Sequence, residues 1–588
     1  MVKGFNGMRT QFSVIDPYFH VFLLLVTPLL LLAANPNWIF SPPGIDAWVS
    51  LGFFHNYPLF QEQLFLNTYY GSRLSWILPG FIAHHIFSPL IAHYVLHLSV
   101  YYTCIFSLYY ILRKTTTTTT AFFCSILMAG YGYFLNAVGW DYVDGPGIAY
   151  YLLSIALLTR TAQSSRHPAW LLVSGLTIGL LIHTNFFWLI MSITVFLYYI
   201  LAMKRFKGKF TVRDIFKHFG WLFLGILMLT MFWGLINVYV GGNFWFFRPS
   251  LNHIIGRFNQ LAILGHFNIP WERPVENWLP NAFWLLLPIF ISIASVFILI
   301  RYKLSLGGGK FFSDNLFEIN FLLFFSFMLF PEFLGGALLQ HPYYASYLIG
   351  PMFLALGHIF QYSFERLSKW QSKTLILGII VYIILHQSGN NFIHQYFFFP
   401  NSKLIPVQKI FIVPIILGFL WLALINISHR GRATLISSLI IFFFFFSYIP
   451  QRPKNRDFRG LYLRVIQGMQ AVEAIELKRR PRFWYNQNAK LGKHDFISLS
   501  STYLWGLNFY NLNFPDPEPR KPGKRLRSND IVVIPSQQER VFEKAEKSLR
   551  TKGISLRFLS TVKIQDETIS YTLTFAEVVP DSSSISGN

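Results

Sequence analysis

The sequence predicts an α-helical polytopic membrane protein of about thirteen transmembrane helices, carrying a small extracytoplasmic α+β domain at its C-terminal end. Three observations predict it. Apolar runs of spanning length recur up to residue 450, Lys and Arg gather in alternate loops, and the composition changes abruptly after Pro450. The expected division is a transmembrane domain over 1–450 and an extracytoplasmic domain over 451–588.

The chain of 588 residues is 53% hydrophobic and 19% aromatic but only 13% charged, about half the charge of a soluble protein. Runs able to cross a ~30 Å core, some of them short, fall near 17–34, 88–112, 119–138, 146–159, 169–183, 185–203, 218–240, 280–300, 319–338, 343–363, 374–387, 405–427 and 433–449. The first has a basic flank but no small-x-small cleavage signal, so it reads as a retained anchor. The run Thr115–Thr120 reads as a helix entrance at which hydroxyls cap free amides.

Loop charge tests this layout. One set of alternate loops carries 20 Lys and Arg residues, among them Lys204, Arg205, Lys207, Lys209, Arg213 and Lys217. The opposite set, up to Pro450, carries six: Arg73, Arg248, Arg257, Arg273, Lys403 and Lys409. The positive-inside rule then puts the N-terminus in the cytoplasm and everything after Pro450 outside a plasma membrane. The net charge of +23 is divided between short loops and the tail, without a basic-aromatic motif, so nucleic acid is excluded as a partner. Cys104 and Cys124, the only two cysteines, lie in apolar runs and imply neither disulfide nor thiolate metal site.

Beyond Pro450, Leu461, Val465, Met469 and Val472 repeat at helical spacing. Strand-like pieces at Asp530–Pro535 and Thr568–Phe575 flank a charged helix near Gln537–Lys552. The proline-stiffened stretch Phe514–Pro522 reads as a linker and Asp581–Asn588 as a disordered end.

Acids are scarce in the first 450 residues, twelve in all, so their positions inform. Six fall in outer loops: Asp46, Glu62, Asp141, Asp144, Glu272 and Glu276. Glu332 falls inside a span, where a carboxylate normally faces a cavity or a partner. The first outer loop, Trp38 to Gly80, holds Asp46, Glu62 and Arg73 among aromatics. After Ser41-Pro42-Pro43-Gly44 it launches a helix with Trp48, Leu51 and Phe54 on one face, which reads as an amphipathic helix along the membrane surface. Asp46 either caps that helix or serves as a general base toward an acceptor hydroxyl. The second outer loop offers Asp144, a cap or turn residue before Gly-Pro, and Asp141, the freer of the two. With Asp46 they could share a divalent cation (Mg, Mn or Ca) through oxygens. His84, His85, His93 and His97 read as core or interface residues, since no H-E-x-x-H pattern and no nearby carboxylate supports a metal site. The loop Val240–Leu279, with Arg248, Arg257, Glu272 and Arg273, reads either as a cover that orders with substrate or as an interfacial aromatic loop.

Three short motifs carry a resemblance. They are Asp46 ahead of a helix with Tyr69-Tyr70-Gly71-Ser72-Arg73 downstream, a second outer loop with Asp141 and Asp144, and Gln340-His341-Pro342-Tyr343-Tyr344-Ala345-Ser346-Tyr347-Leu348-Ile349-Gly350-Pro351. Together with the helix count and topology they resemble the membrane glycosyltransferases of the GT-C class, most of all the protein O-mannosyltransferase and aminoarabinose-transferase group of family 39. The likeness covers most of residues 1–450. It implies a sugar donor on a polyprenyl phosphate, a lipid, glycan or protein acceptor, and Asp46 as catalytic base with inversion at the anomeric carbon. It further implies that Arg73, Tyr69, Tyr70, His341, Tyr343, Tyr344 and Tyr347 meet the phosphate or sugar, with Asp141, Asp144 and Glu62 as further acids. Arg73 also reads as an interfacial arginine, and the tyrosines as part of an aromatic belt. One departure bears on metal use: the family commonly has Asp-Glu where this chain has Asp46-Ala47. The rival readings are a transporter or flippase, which would place ionisable residues across several spans, and a non-catalytic scaffold.

Overall fold

The computed structural model describes residues 17–41, 45–64, 68–163, 167–207, 211–253, 255, 291, 346–364, 457–473, 483–485, 509–511, 526, 528–536, 541–551, 554–565 and 570–580. The expected spans at 280–300, 319–338, 374–387, 405–427 and 433–449 lie outside them or touch them only at Ile291, as do Glu332, Arg257, Glu272 and Arg273, the stretch 514–522 and the end 581–588. Two compact units are formed. One gathers 1–39, 97–232 and 250–455; the other gathers 40–96, 233–249 and 456–588.

The helices are α1 (Pro17–Ala34), α2 (Ile45–His55), α3 (Leu74–Ile86), α4 (Pro89–Thr115), α5 (Thr118–Ala129), α6 (Gly132–Val138), α7 (Asp144–Gln163), α8 (His167–Thr184), α9 (Trp188–Lys207), α10 (Val212–Tyr239) and α11 (Ser346–Phe364). Among the described residues, α4 and α10 are long and apolar enough to cross a membrane. The run expected as one span over 119–138 is instead broken: α5 and α6 bend by 64° about Gly130 and Tyr131. Glycine ends α5 there, and Tyr131 takes an extended conformation before α6 begins. The short runs at 146–159 and 169–183 lengthen to 20 and 18 residues.

In the helical unit, α7 packs on α8, α9 and α11, and α5 on α1 and α11. The glycines of Gly145-Pro146-Gly147 are there for close approach. A Cβ on Gly145 would meet the Ala137 carbonyl at 2.9 Å, and one on Gly147 would meet Trp188 Nε1 at 2.3 Å. The threonine run acts as expected: Thr117 Oγ1 accepts from the Thr120 amide at 3.2 Å and starts α5. Thr117→Ala should therefore cost about 1 kcal/mol, read as a lower thermal midpoint of the detergent-solubilised protein.

The second unit contains α2, α3, the helix α12 (Phe458–Glu473), a shorter α13 (Val541–Arg550) and a five-stranded sheet. Its strands are β1 (Phe483–Tyr485), β2 (Phe509–Asn511), β3 (Ile531–Ser536), β4 (Ile554–Gln565) and β5 (Ser570–Pro580), in the order β2-β1-β3-β5-β4. β1 pairs in parallel with β2 and β3, whereas β5 runs antiparallel to β3 and β4. Val532, Ile534, Leu549, Leu556, Ala576 and Val578 close a core between the sheet and α13. The predicted strand at 568–575 begins two residues later and runs to Pro580, and β4 is a strand the alternation did not reveal.

α2 corrects an expectation. The sequence predicts an amphipathic helix along the membrane surface, yet Ala47, Trp48, Val49, Leu51, Phe53 and Phe54 are all buried. Its apolar residues surround the helix axis, and they are taken up by α3 and α12. At the α2–α3 crossing Gly80 receives Phe54, and a Cβ there would lie 2.2 Å from the ring.

Candidate active site

α3 is preceded by the turn Tyr69–Arg73, in which the Arg73 amide donates to the Tyr70 carbonyl at 3.3 Å. Arg73 occupies the N-cap position of α3, its carbonyl accepting from the amides of Trp76 and Ile77. Gln61 closes over the turn at Gly71, where a Cβ would fall 2.4 Å from its Oε1.

This turn delivers Tyr70 to Asp46. The Tyr70 hydroxyl donates to Asp46 Oδ1 at 2.5 Å, so the two ends of the outer loop meet at a carboxylate. Burial, with the Asp46 charge next, pushes the Tyr70 phenol far above its ordinary value of 10. Tyr70 therefore remains a neutral donor throughout the working pH range. Asp46 itself is half-buried, in the first turn of α2 rather than at its cap, since Ile45 is already helical. A negative charge there is favoured by the helix N-terminus.

Arg73 closes the cluster. Its guanidinium carbon lies 4.9 Å from the Tyr69 ring centroid and 5.2 Å from that of Tyr70, and the two rings are 4.2 Å apart. At 6% exposure this arginine is buried, not snorkelling. A planar cation within cation–π range of two adjacent rings suits bidentate contact with an oxyanion. Asp46, Tyr69, Tyr70 and Arg73 thus form one contiguous set. Tyr70→Phe keeps the ring under Arg73 and removes only the donor. Turnover should fall about tenfold with little loss of fold, as measured by product formation beside a thermal melt.

Glu62 belongs to the same unit but faces elsewhere. It is exposed in a single π-helical turn, Phe60–Leu64, close to Gly241, whose φ of +88° only glycine adopts without strain. Beside it, Tyr57 donates to Asn237 Oδ1 at 2.5 Å and Asn237 Nδ2 donates to the Asn243 carbonyl at 2.7 Å. This pair, which the sequence did not single out, fastens the turn after α10 to the outer loop.

The acids of the second outer loop belong to the helical unit, and each is engaged there. Asp141 was expected to be the freer of the two, but it is buried, with Oδ1 at 2.8 Å from His97 Nε2. His97 Nδ1 meets the Val138 carbonyl at 2.5 Å. The expectation that no carboxylate stands near these histidines is overturned: α6 folds back on α4 and brings Asp141 to His97. An imidazole and a carboxylate so placed could offer two ligands to a divalent cation. Asp144 begins α7 and accepts from Ser346 at 2.9 Å. Tyr347 is buried and stacks on Trp188 at 4.3 Å between centroids, a packing position within the unit. His341, Tyr343 and Tyr344 lie outside the described residues.

No protein-family model matches the chain, and no curated protein matches it. Among solved structures, ArnT from Cupriavidus metallidurans bound to undecaprenyl phosphate overlaps at a TM-score of 0.46 with 12% identity, covering 95% of this chain and 98% of that one. The apo state of the same protein gives 0.42 and 13%, over 95% and 97%. An oligosaccharyltransferase from Archaeoglobus fulgidus, tethered to an acceptor peptide, gives 0.42 and 12%, over 85% of this chain and 64% of that one. At such identities and TM-scores these likenesses assign neither a fold nor a reaction.

Proposed function

We propose that this chain is a membrane glycosyltransferase that moves a sugar from a polyprenyl phosphate to an acceptor hydroxyl at the outer face of a plasma membrane. The observation that carries it is the cluster of Asp46, Tyr70 and Arg73, a carboxylate, a neutral donor and a buried cation assembled by one loop. The chain divides, on this reading, into a membrane-embedded catalytic part over 1–450 and an extracytoplasmic domain over 451–588, with the N-terminus cytoplasmic. The acceptor is a lipid, a glycan or a protein.

In the reaction, the acceptor oxygen attacks the anomeric carbon while the bond from that carbon to the phosphate oxygen breaks. The electron pair of the broken bond leaves with the polyprenyl phosphate, and the configuration inverts. Asp46 takes the hydroxyl proton on Oδ2, since Tyr70 already occupies Oδ1. Tyr70 fixes the carboxylate orientation, and Arg73 receives the growing negative charge on the phosphate from a prearranged position. Asp141 and Asp144 each hold a partner within the helical unit, His97 and Ser346.

Mass spectrometry provides the test. The purified protein should carry a polyprenyl-phosphate sugar, and a strain lacking the gene should lose one glycosyl addition that the intact gene restores. Unchanged envelope glycans together with a lipid-free protein would sink the reading.

A further inference from the structure

α12 lies at a junction within the second unit: one side packs on α2, which carries Asp46, and another on strand β4. Phe458, Leu461, Tyr462, Val465, Ile466 and Met469 are buried, the spacing of a helix with one wide apolar face. Among them Tyr462 is the one that also makes polar contacts. Its hydroxyl donates to the Pro89 carbonyl at 2.8 Å and lies 3.0 Å from His84 Nε2, while His84 Nδ1 meets the Gly80 carbonyl at 2.8 Å. Its ring sits 4.6 Å from that of His93 and 5.9 Å from that of Phe40.

These contacts fall on the C-terminal end of α3 and the start of α4. α3 needs them. Pro79 lies inside it and removes a helical hydrogen bond, and Gly80 adds a second weak point at the crossing with Phe54. A helix of 13 residues interrupted in this way transmits position only if both ends are fixed. Its N-terminal end is Arg73, tied through Tyr69 and Tyr70 to Asp46, and its C-terminal end is His84, tied through Tyr462 to α12.

We propose that Tyr462 is a positioning residue of the candidate site: α12 latches the end of α3 and thereby sets Arg73 and Tyr70 against Asp46. The segment after residue 456 is then part of the catalytic apparatus. It holds the loop in register from behind and does not touch the reacting atoms. The inference rests on the reading of Asp46, Tyr70 and Arg73 as the site, but the latch itself can be measured without any substrate.

The test uses the full-length protein in detergent, comparing Tyr462→Phe, which keeps the ring contacts, with Glu546→Ala on α13, a half-buried carboxylate paired with Arg550 on the same helix. Hydrogen–deuterium exchange should quicken about tenfold across residues 69–86 in Tyr462→Phe, for the loss of the hydroxyl that meets Pro89 and His84, and stay at the wild-type rate in Glu546→Ala. Affinity for added undecaprenyl phosphate, the probe for Arg73, should weaken about three- to tenfold in Tyr462→Phe, with the thermal midpoint little changed. A merely structural tyrosine would lower that midpoint and quicken exchange throughout the unit, which would overturn the proposal. So would unchanged exchange over 69–86. Faster local exchange in a protein whose wild type ignores polyprenyl phosphate would uphold the latch and sink the functional reading instead.

Discussion

Asp46→Asn is expected to lower transfer by about 10²- to 10⁴-fold, the range in which a general base contributes, while leaving the protein folded. The substitution separates two properties of the residue. Asparagine keeps an oxygen at the position that accepts the Tyr70 hydroxyl at 2.5 Å, so the meeting of the loop's two ends survives. It removes the basic lone pair on the other oxygen and the negative charge that favours the first turn of α2. Loss of that charge costs a few tenths of a kcal/mol to about 1 kcal/mol, small against the fold. The measurement is single-turnover transfer together with polyprenyl-phosphate affinity. Affinity should be retained, because Arg73 and the tyrosines are untouched, and only the chemical step should fail. An asparagine variant that turns over like the wild type would remove Asp46 from the mechanism.

Much of the helical unit was legible because membrane burial writes itself in long apolar runs. α1 coincides with the run 17–34, and α4, α8 and α9 begin and end within a few residues of their expected bounds. The break between α5 and α6 was marked by Gly130 and Gly132, but inside a continuous apolar run two glycines do not distinguish a kink from a tolerated weak point. α2 misled for a related reason. Its sequence, IDAWVSLGFFH, reads as one apolar face plus polar residues when the helix is assumed to lie on a surface. With α3 and α12 packed on it, nearly the whole circumference is core.

The candidate site was legible by residue type and only partly by partnership. Scarcity of outer acids singled out Asp46, and proximity in sequence singled out Arg73. That Tyr70 belongs to Asp46, 24 residues away, follows from the turn at Gly71 and leaves no periodic trace. His97 and Asp141 are 44 residues apart and join because α6 reverses the chain, so the absence of a local motif was no guide to their pairing. Tyr462 lay beside the expected Leu461, Val465 and Met469 stripe, but the spacing that reveals a buried face does not say which of its members carries a hydroxyl with work to do.

Gly175→Val is expected to destabilise the helical unit strongly, at a contact between α8 and α10. α8 and α10 touch backbone to backbone. A Cβ on Gly175 would come within 2.2 Å of the Leu222 carbonyl oxygen and 3.0 Å of Gly225 Cα, and one on Gly225 within 2.3 Å of the Leu172 carbonyl. Small residues permit this approach in a bilayer, where close packing replaces the hydrophobic drive between helices. Neither obstacle is a side chain that can rotate away, so the helices must part. Parting them strains the His183–Thr230 hydrogen bond of 2.7 Å and opens the packing around buried Leu171, Ile178 and Leu222. Overpacking against yielding side chains costs about 1–3 kcal/mol, and against fixed backbone the cost should exceed that range. Gly220 on α10 supplies the contrast, since a Cβ there meets nothing within 4 Å. Gly220→Ala should raise the thermal midpoint slightly through helix propensity, by up to about 1 kcal/mol, in the same detergent that leaves Gly175→Val aggregated. Equal midpoints for the two variants would mean that the α8–α10 approach contributes nothing to holding the unit together.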